Sequence, residues 1–287
     1  TGGGLGIGRE ICRVLAGCHC KVVVCDILLD KANEVVRELD EKHGEGTAVG
    51  YKCDVTEIDQ VRQCIYLCSK KFGRFDGIVN NAGIGESDPY RWYKKVKNEN
   101  QEEKDVAEFK KILDIDIFAV ALGTYVALQE FKRTGTDGIV VNIASMGGIL
   151  PMPTAPVYAA AKAAVINLTR SLSLTSTLQM GEDEEGGGGG GLGKVVAVCP
   201  SLTETRLMTA MRDQTDDGGE QMKKELGGFL SVQDIAEGVR IVIKDLVDGT
   251  VGSGEVMRVT YRGGYDYWTP GKKTRRIKPV LSVSAKL

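Results

Sequence analysis

Histidine is almost missing from this sequence. His19 and His43 are the only two among 287 residues, and they sit far apart. A histidine-centred active site is therefore not expected. Metal-ligand spacing is missing too. The eight cysteines, Cys12, Cys18, Cys20, Cys25, Cys53, Cys64, Cys68 and Cys199, match no zinc signature, and Cys18-His19-Cys20, which could bind a metal by chance proximity, is a weak signal. Several cysteines fall in apolar runs, so they read as buried free thiols of a reducing compartment, with the cytoplasm the expected location. An excess of one charge is lacking as well. The net charge of −2 gives no reason to expect a nucleic-acid partner. No apolar run approaches the roughly 18 residues of a membrane helix, so no span is expected.

What is present is an ordinary globular balance, 42% hydrophobic and 26% charged residues, enough for a large core. Helical and strand patterns alternate. Gly8–Leu15, Leu28–His43, Ile58–Phe72, Val106–Leu128, Tyr158–Thr177 and Asp234–Val247 have helical periodicity. Lys21–Cys25, Ala48–Cys53, Gly77–Val79, Gly138–Ile143, Lys194–Val198 and Glu255–Val259 are short β-branched or apolar runs. This alternation predicts βαβ units and a Rossmann-type, doubly wound parallel α/β sheet in one domain over residues 1–265. Glu86–Gln101 is polar and reads as an exposed excursion. Gly181–Gly193, an acidic cluster followed by a glycine run, reads as a mobile surface loop. Residues 266–287 read as a disordered tail, basic from Gly271 onward. Its last three residues, Ala285-Lys286-Leu287, are similar to a peroxisomal address, which makes the peroxisome the alternative location.

Thr1-Gly2-Gly3-Gly4-Leu5-Gly6-Ile7-Gly8 opens a helix. Glycines let the backbone approach a pyrophosphate, and a helix N-terminus offers free N–H groups. Asp26 follows Gly8 by 18 residues and ends a strand, the place for a carboxylate that binds the adenosine ribose and repels a 2′-phosphate. NAD is the expected cofactor, with Ile27 beside it. Cys53-Asp54-Val55 and Asn80-Asn81-Ala82-Gly83 follow the next strands, where ligands bind in open parallel sheets. A simple turn would explain any one of these motifs. The fifth motif outweighs that reading. Ser145 follows a strand, Tyr158 comes 13 residues later, and Lys162 lies one helical turn beyond Tyr158. A lysine ammonium there is expected to lower the tyrosine pKa and make it an acid/base near neutral pH, with the serine holding the substrate oxygen.

This set resembles the short-chain dehydrogenase/reductase family over nearly the whole chain, to about Val259. Gly138-Ile139-Val140-Val141-Asn142 through Pro156-Val157-Tyr158, Gly254–Val259 and Tyr265–Pro270 are most similar to NAD-dependent 15-hydroxyprostaglandin dehydrogenases. The resemblance implies Tyr158 as general acid/base, Lys162 on the nicotinamide ribose, and Ser145 on the substrate oxygen. It places Asp54 at the adenine, with Val55, Asn81, Ala82, Gly83 and Thr203 lining the cofactor and Thr205 near the nicotinamide amide. It also implies a homodimer through helices around Val106–Leu128 and Tyr158–Thr177. Three positions depart from the pattern. Asp116 stands at the fourth catalytic position, usually asparagine, and cannot donate to a relay water. Ser201 replaces a glycine after Pro200. Ala155 stands where prostaglandin dehydrogenases carry glutamine.

The reading is an NAD-dependent enzyme interconverting a secondary alcohol and a ketone by a Ser-Tyr-Lys mechanism. The substrate is expected to be apolar, because the lid candidate Leu207–Phe229 carries Leu207, Met208, Met211 and Phe229. The alternative is a cofactor-binding regulatory or scaffold protein with little turnover, which Asp116 favours. Thr1 begins at the turn that follows the first strand of such a fold. A preceding apolar strand of about 5–6 residues is expected between the strands ending at Asp26 and Asn80, and the chain is expected to fold poorly without it.

Overall fold

β-Branched runs become the strands that the periodicity predicts, and the amphipathic segments between them become helices. The computed structural model describes residues 1–88, 91–179, 193–204, 228–270 and 275–278. In chain order these form α1 (Gly6–Gly17), β1 (Val22–Asp26), α2 (Leu29–His43), β2 (Ala48–Lys52), α3 (Ile58–Phe72) and β3 (Gly77–Asn80). Then come α4 (Glu99–Leu113), a π-helical turn (Asp114–Phe118), α5 (Ala119–Thr134), β4 (Ile139–Ile143), α6 (Pro156–Gln179) and β5 (Lys194–Pro200). The described chain ends with α7 (Val232–Val247), β6 (Val256–Thr260), β7 (Gly264–Trp268) and β8 (Arg275–Lys278).

Strands β3, β4, β5 and β6 run parallel in that order, with Gly77 opposite Ile139, Ile139 opposite Lys194, and Ala197 opposite Val256. Helices cover both faces. Val140 and Val195 point to one face, against Val61 and Ile65 of α3 and Val126 and Phe131 of α5. Val141 and Val196 point to the other, against Ile11 of α1 and Val239 and Val242 of α7. Each fully buried aliphatic side chain contributes about 1.5–3 kcal/mol, which is why these strands are apolar on both sides rather than alternating. Phe75 stacks on Phe131 at 5.2 Å under β3.

The strands fall into two hydrogen-bonded groups. β1 pairs only with β2, and β3 begins a separate six-stranded sheet. Thr1–Gly3 lies between the two parts. The Thr1 ammonium donates to the Val79 carbonyl at 2.9 Å, and the Gly3 amide donates to the Cys25 carbonyl at 2.9 Å.

Four expectations are corrected. Helix α4 starts at Glu99, because Asn98 caps it by accepting the Gln101 amide at 3.0 Å. The excursion after β3 is not uniformly exposed, since Glu86 is 1% exposed. The ordered chain passes residue 265: β7 pairs antiparallel with β6, and β8 pairs with β7. Alternate residues of β7 drive this. Tyr265 and Tyr267 bury their rings and donate to the Asp234 carbonyl (3.0 Å) and the Asp245 carboxylate (2.8 Å), while Asp266 pairs with Arg258. Finally, the helical stretch Glu99–Thr134 holds an 18-residue window of mean hydropathy 1.6, apolar enough to cross a bilayer by length and composition. In this fold 44% of that window is buried, and the stretch packs through Val126, Ala127 and Phe131. The Gly181–Gly193 loop, except Gly193, and most of Leu207–Phe229 and of the tail lie outside the described residues.

Helix α7 carries much of the core on one face and starts with a reciprocal cap. Ser231 Oγ accepts the Asp234 amide and Asp234 Oδ2 accepts the Ser231 amide. Ser231→Ala should lower stability by about 1 kcal/mol. Urea denaturation should show a lower midpoint with an unchanged slope.

Candidate active site

The parallel strands end on one side of the sheet, and their carboxyl ends border a cleft of about 1230 Å³. The residues that the sequence placed on the cofactor or the chemistry line this cleft, apart from Thr1, Gly3 and Asn80 of the two loop motifs and two further residues. Thr205 lies outside the described residues. Gly4 does not line the cleft but stands behind it, where its amide donates to Asp26 Oδ2 at 2.9 Å. A side chain there would meet Asp26 and Lys31 at 2.8–3.1 Å, so glycine is required for this close approach.

One end of the cleft is built from the glycine-rich turn. Gly2 has φ +61°, and a Cβ on Gly8 would lie 2.0 Å from the Gly2 carbonyl oxygen. Only glycine lets the turn fold back on the first residues of α1. Asn81 locks this turn to the end of β3, with its Nδ2 donating to the carbonyls of Thr1 (3.0 Å) and Gly2 (3.2 Å). Asp26, 8% exposed, accepts the Leu28 amide on its other oxygen at 2.9 Å. The carboxylate is thus held rigidly at the cleft wall, with lone pairs left for two further donors. Asp54 uses one oxygen locally, accepting the amide (3.0 Å) and hydroxyl (2.7 Å) of Thr56. Asn80 faces away from the cleft. Its Nδ2 donates to Asn142 Oδ1 (2.9 Å) and Thr124 (3.2 Å), and Asn142 Nδ2 donates to Thr169 (3.1 Å), a buried ladder joining β3, β4, α5 and α6.

The other end carries the Ser-Tyr-Lys set. Ser145 follows β4, where its Oγ caps a short 3₁₀ turn by accepting the Gly147 amide at 3.1 Å. A Cβ on Gly148 of that turn would lie 2.6 Å from the Lys162 carbonyl carbon, so glycine lets the turn press against α6. Tyr158 and Lys162 lie one turn apart on α6, with Lys162 Nζ 5.5 Å from the tyrosine ring centre. Thr203, 5% exposed, bonds to the Ser201 carbonyl at 2.9 Å below them.

Asp116 changes the electrostatics of this end. The π-helical turn adds a residue to the α4–α5 helix and turns Asp116 inward, where it is 0% exposed. Its Oδ1 accepts the Ile84 amide at 2.8 Å. Its Oδ2 pairs with Lys162 Nζ at 3.0 Å, and the ammonium also donates to the Ile143 carbonyl at 3.2 Å. Burial pushes the Asp116 carboxyl above the usual range against the pull of Lys162. Burial also opposes the charge on Lys162, but Asp116 and Tyr158 outweigh it and hold the ammonium above its ordinary value.

The expected lowering of Tyr158 is not found. Burial raises its pKa; the Lys162 charge and the Ser145 hydroxyl pull it down, and Asp116 pushes it up again. A lysine whose field is met by a carboxylate 3.0 Å away has less left to act on the phenol. Cys199 beneath them is buried, and its thiol is pushed up to about 12, which keeps it protonated and unreactive.

Sequence reasoning missed Glu86, a buried carboxylate at the start of α6. It also missed the π-helical turn. The cap signal Asn98-x-x-Gln101 was the one available sign that the excursion ends early.

The family model for short chain dehydrogenase matches residues 1–216. The 15-hydroxyprostaglandin dehydrogenase [NAD(+)] of Macaca fascicularis is 27% identical over 277 residues, covering 93% of this chain and 91% of that protein. Among solved structures, the 3-ketoacyl-(acyl-carrier-protein) reductase of Brucella melitensis complexed with NADH matches with TM-score 0.71 and 25% identity, covering 90% of this chain and 94% of that one. ElxO with NADP bound matches with TM-score 0.72 at 24% identity over 90% of this chain and 94% of that one, a likeness of fold.

Asp116→Asn keeps the acceptor for the Ile84 amide and removes the charge. Lys162 then acts on Tyr158 unopposed, the tyrosine pKa falls, and the pH limb of the oxidation rate should move to lower pH. An unmoved limb would detach Asp116 from the proton chemistry. Asp116→Leu, which strands the buried Lys162 charge, should cost about 3–5 kcal/mol in urea denaturation.

Proposed function

The chain belongs to the short-chain dehydrogenase family, and we propose that it interconverts a secondary alcohol and a ketone with NAD, through Ser145, Tyr158 and Lys162. The observation that carries this reading is one cleft with a glycine turn and a fixed carboxylate at one end and these three side chains at the other. The residues present fit a dinucleotide. The fold-back at Gly8 leaves the α1 N-terminus open to a pyrophosphate, and Asp26 keeps acceptor sites for ribose hydroxyls. When bound, the nicotinamide accepts or supplies the hydride.

The protein's own groups handle the proton and the orientation. Tyr158 takes the proton from the substrate hydroxyl in oxidation and returns it in reduction. Ser145 donates to the same oxygen and fixes the reacting carbon. Lys162 favours the tyrosinate, with Asp116 moderating it and holding the ammonium in place. Met146, Leu150, Pro151, Met152 and Pro153 line the cleft beside Ser145 and favour an apolar substrate. The NAD preference rests on Asp26. Both its oxygens are pinned by backbone amides, so it cannot swing away from a 2′-phosphate. A homodimer is proposed through the exposed apolar side of α4 and α5, where Val106, Leu113, Phe118 and Tyr125 are 42–58% exposed. The second reading, a cofactor-binding regulatory protein with little turnover, is favoured by the charge of Asp116 against Lys162.

Two measurements test the proposal. The ratio of kcat/KM for NAD over NADP should be on the order of 10²; a preference for NADP removes the role given to Asp26. In an alcohol screen, Tyr158→Phe should lower kcat by about 10²–10⁴ while NADH affinity holds. NADH binding without turnover of any alcohol or ketone by the parent would leave the regulatory reading.

A further inference from the structure

Helix α6 carries both Tyr158 and Lys162, yet it begins without a cap of its own. Its first residue is Pro156, and the residue before it is Ala155, 1% exposed, which has no side-chain acceptor. The amides of Val157 and Tyr158 therefore need a partner from elsewhere. Glu86, 71 residues upstream of Val157, supplies it. Its Oε1 accepts Val157 N–H at 2.6 Å and Tyr158 N–H at 3.2 Å, and its Oε2 accepts the Trp92 indole N–H at 3.2 Å. The carboxylate is 1% exposed, so it sits at the positive end of the helix dipole with little competition from water.

The segment that presents Glu86 is itself braced. Trp92 stacks on Phe109 of α4 at 5.1 Å, Arg91 pairs with Asp105 (3.1 Å) and with Glu108, and Glu108 accepts the Ser87 amide at 2.6 Å. The polar, aromatic excursion after β3 thus acts as a bracket between α4 and the start of α6.

We propose that Glu86 is a positioning residue, a long-range cap that fixes the start of α6 and thereby the Tyr158 hydroxyl opposite Ser145, with Trp92 orienting its carboxylate. Glu86 touches neither substrate nor cofactor in this role. The assignment of Tyr158 rests on the function proposed above; the cap itself does not.

The test uses the full chain. Glu86→Ala should lower kcat at least tenfold while KM for NAD and the Kd of NADH stay within about twofold. Glu86→Gln keeps one oxygen for the two amides but turns its amide N–H towards the indole N–H, so kcat should fall by several-fold. Glu86→Gln combined with Trp92→Phe removes that donor–donor clash and should recover to within about threefold of Trp92→Phe alone. Amide hydrogen exchange at Val157 and Tyr158 should quicken at least tenfold in Glu86→Ala, whether or not the parent turns over. A parent inactive on every alcohol with faster exchange in the variant would sink the enzymatic reading and keep the cap. Unchanged exchange, or kcat and NADH affinity falling together in Glu86→Gln without recovery in the double variant, would overturn the positioning role.

Discussion

In the ladder of β3, β4 and β5 every strand leaves the sheet at the same edge, and that single constraint assembles the site. Register fixes Asn80 opposite Asn142 and Asn142 opposite Ala197, so the chain after each strand emerges at nearly one level. Asn81–Gly83, Ser145 and Ser201 are delivered to a common rim without any contact between them being encoded locally. The ladder is fixed by valines buried on both faces and by the Asn80–Asn142–Thr169 hydrogen bonds, which penalise a slip by one residue because the polar groups would lose their partners in the core. Helix α6, held by the Asn142–Thr169 bond, brings Tyr158 and Lys162 to the same rim.

What was legible in the sequence was local or periodic. The glycine turn, Asp26 at a strand end and the one-turn spacing of Tyr158 and Lys162 are patterns over a few residues, and the fold places them as read. Four features were not legible, because each depends on distant partners. Gly4 is needed to clear Asp26, 22 residues away. Strand β7 looked like the start of a tail because its tyrosines find the carbonyl of Asp234 and the carboxylate of Asp245 only in the folded sheet. Glu86 looked like one polar residue in a polar stretch until α6 closed over it. The sign of the Tyr158 shift failed for the same reason: helical spacing reveals the lysine, but not the burial of the phenol or the carboxylate facing that lysine.

The Asp116–Lys162 pair shows how two buried charges can be accommodated. A buried carboxylate is costly alone, and a buried ammonium equally so. Placed together, and given the Ile84 amide and the Ile143 carbonyl, each satisfies much of the other's need. The π-helical turn makes this geometry available by giving the helix one extra residue at the point where it passes the cleft.

The span of the cleft has a thermodynamic consequence. Asp26 ends β1, Ser145 and Ser201 follow β4 and β5, and Tyr158 lies on α6, so the two rims of the cleft stand on different elements. The opening turn, α1 and α3 couple them: Ile11 of α1 packs with the α7 side of the core and Cys12 and Ala16 with β1 and α2, while Val61 and Ile65 of α3 pack with Cys25 of β1 and Val140 of β4. A molecule that grips both rims works as a fastener, and its affinity becomes cohesion between the halves. By mass action, a ligand at 100 times its dissociation constant adds about 2.7 kcal/mol to the joined state. Occupancy and stability are then one equilibrium for any ligand that bridges the two rims.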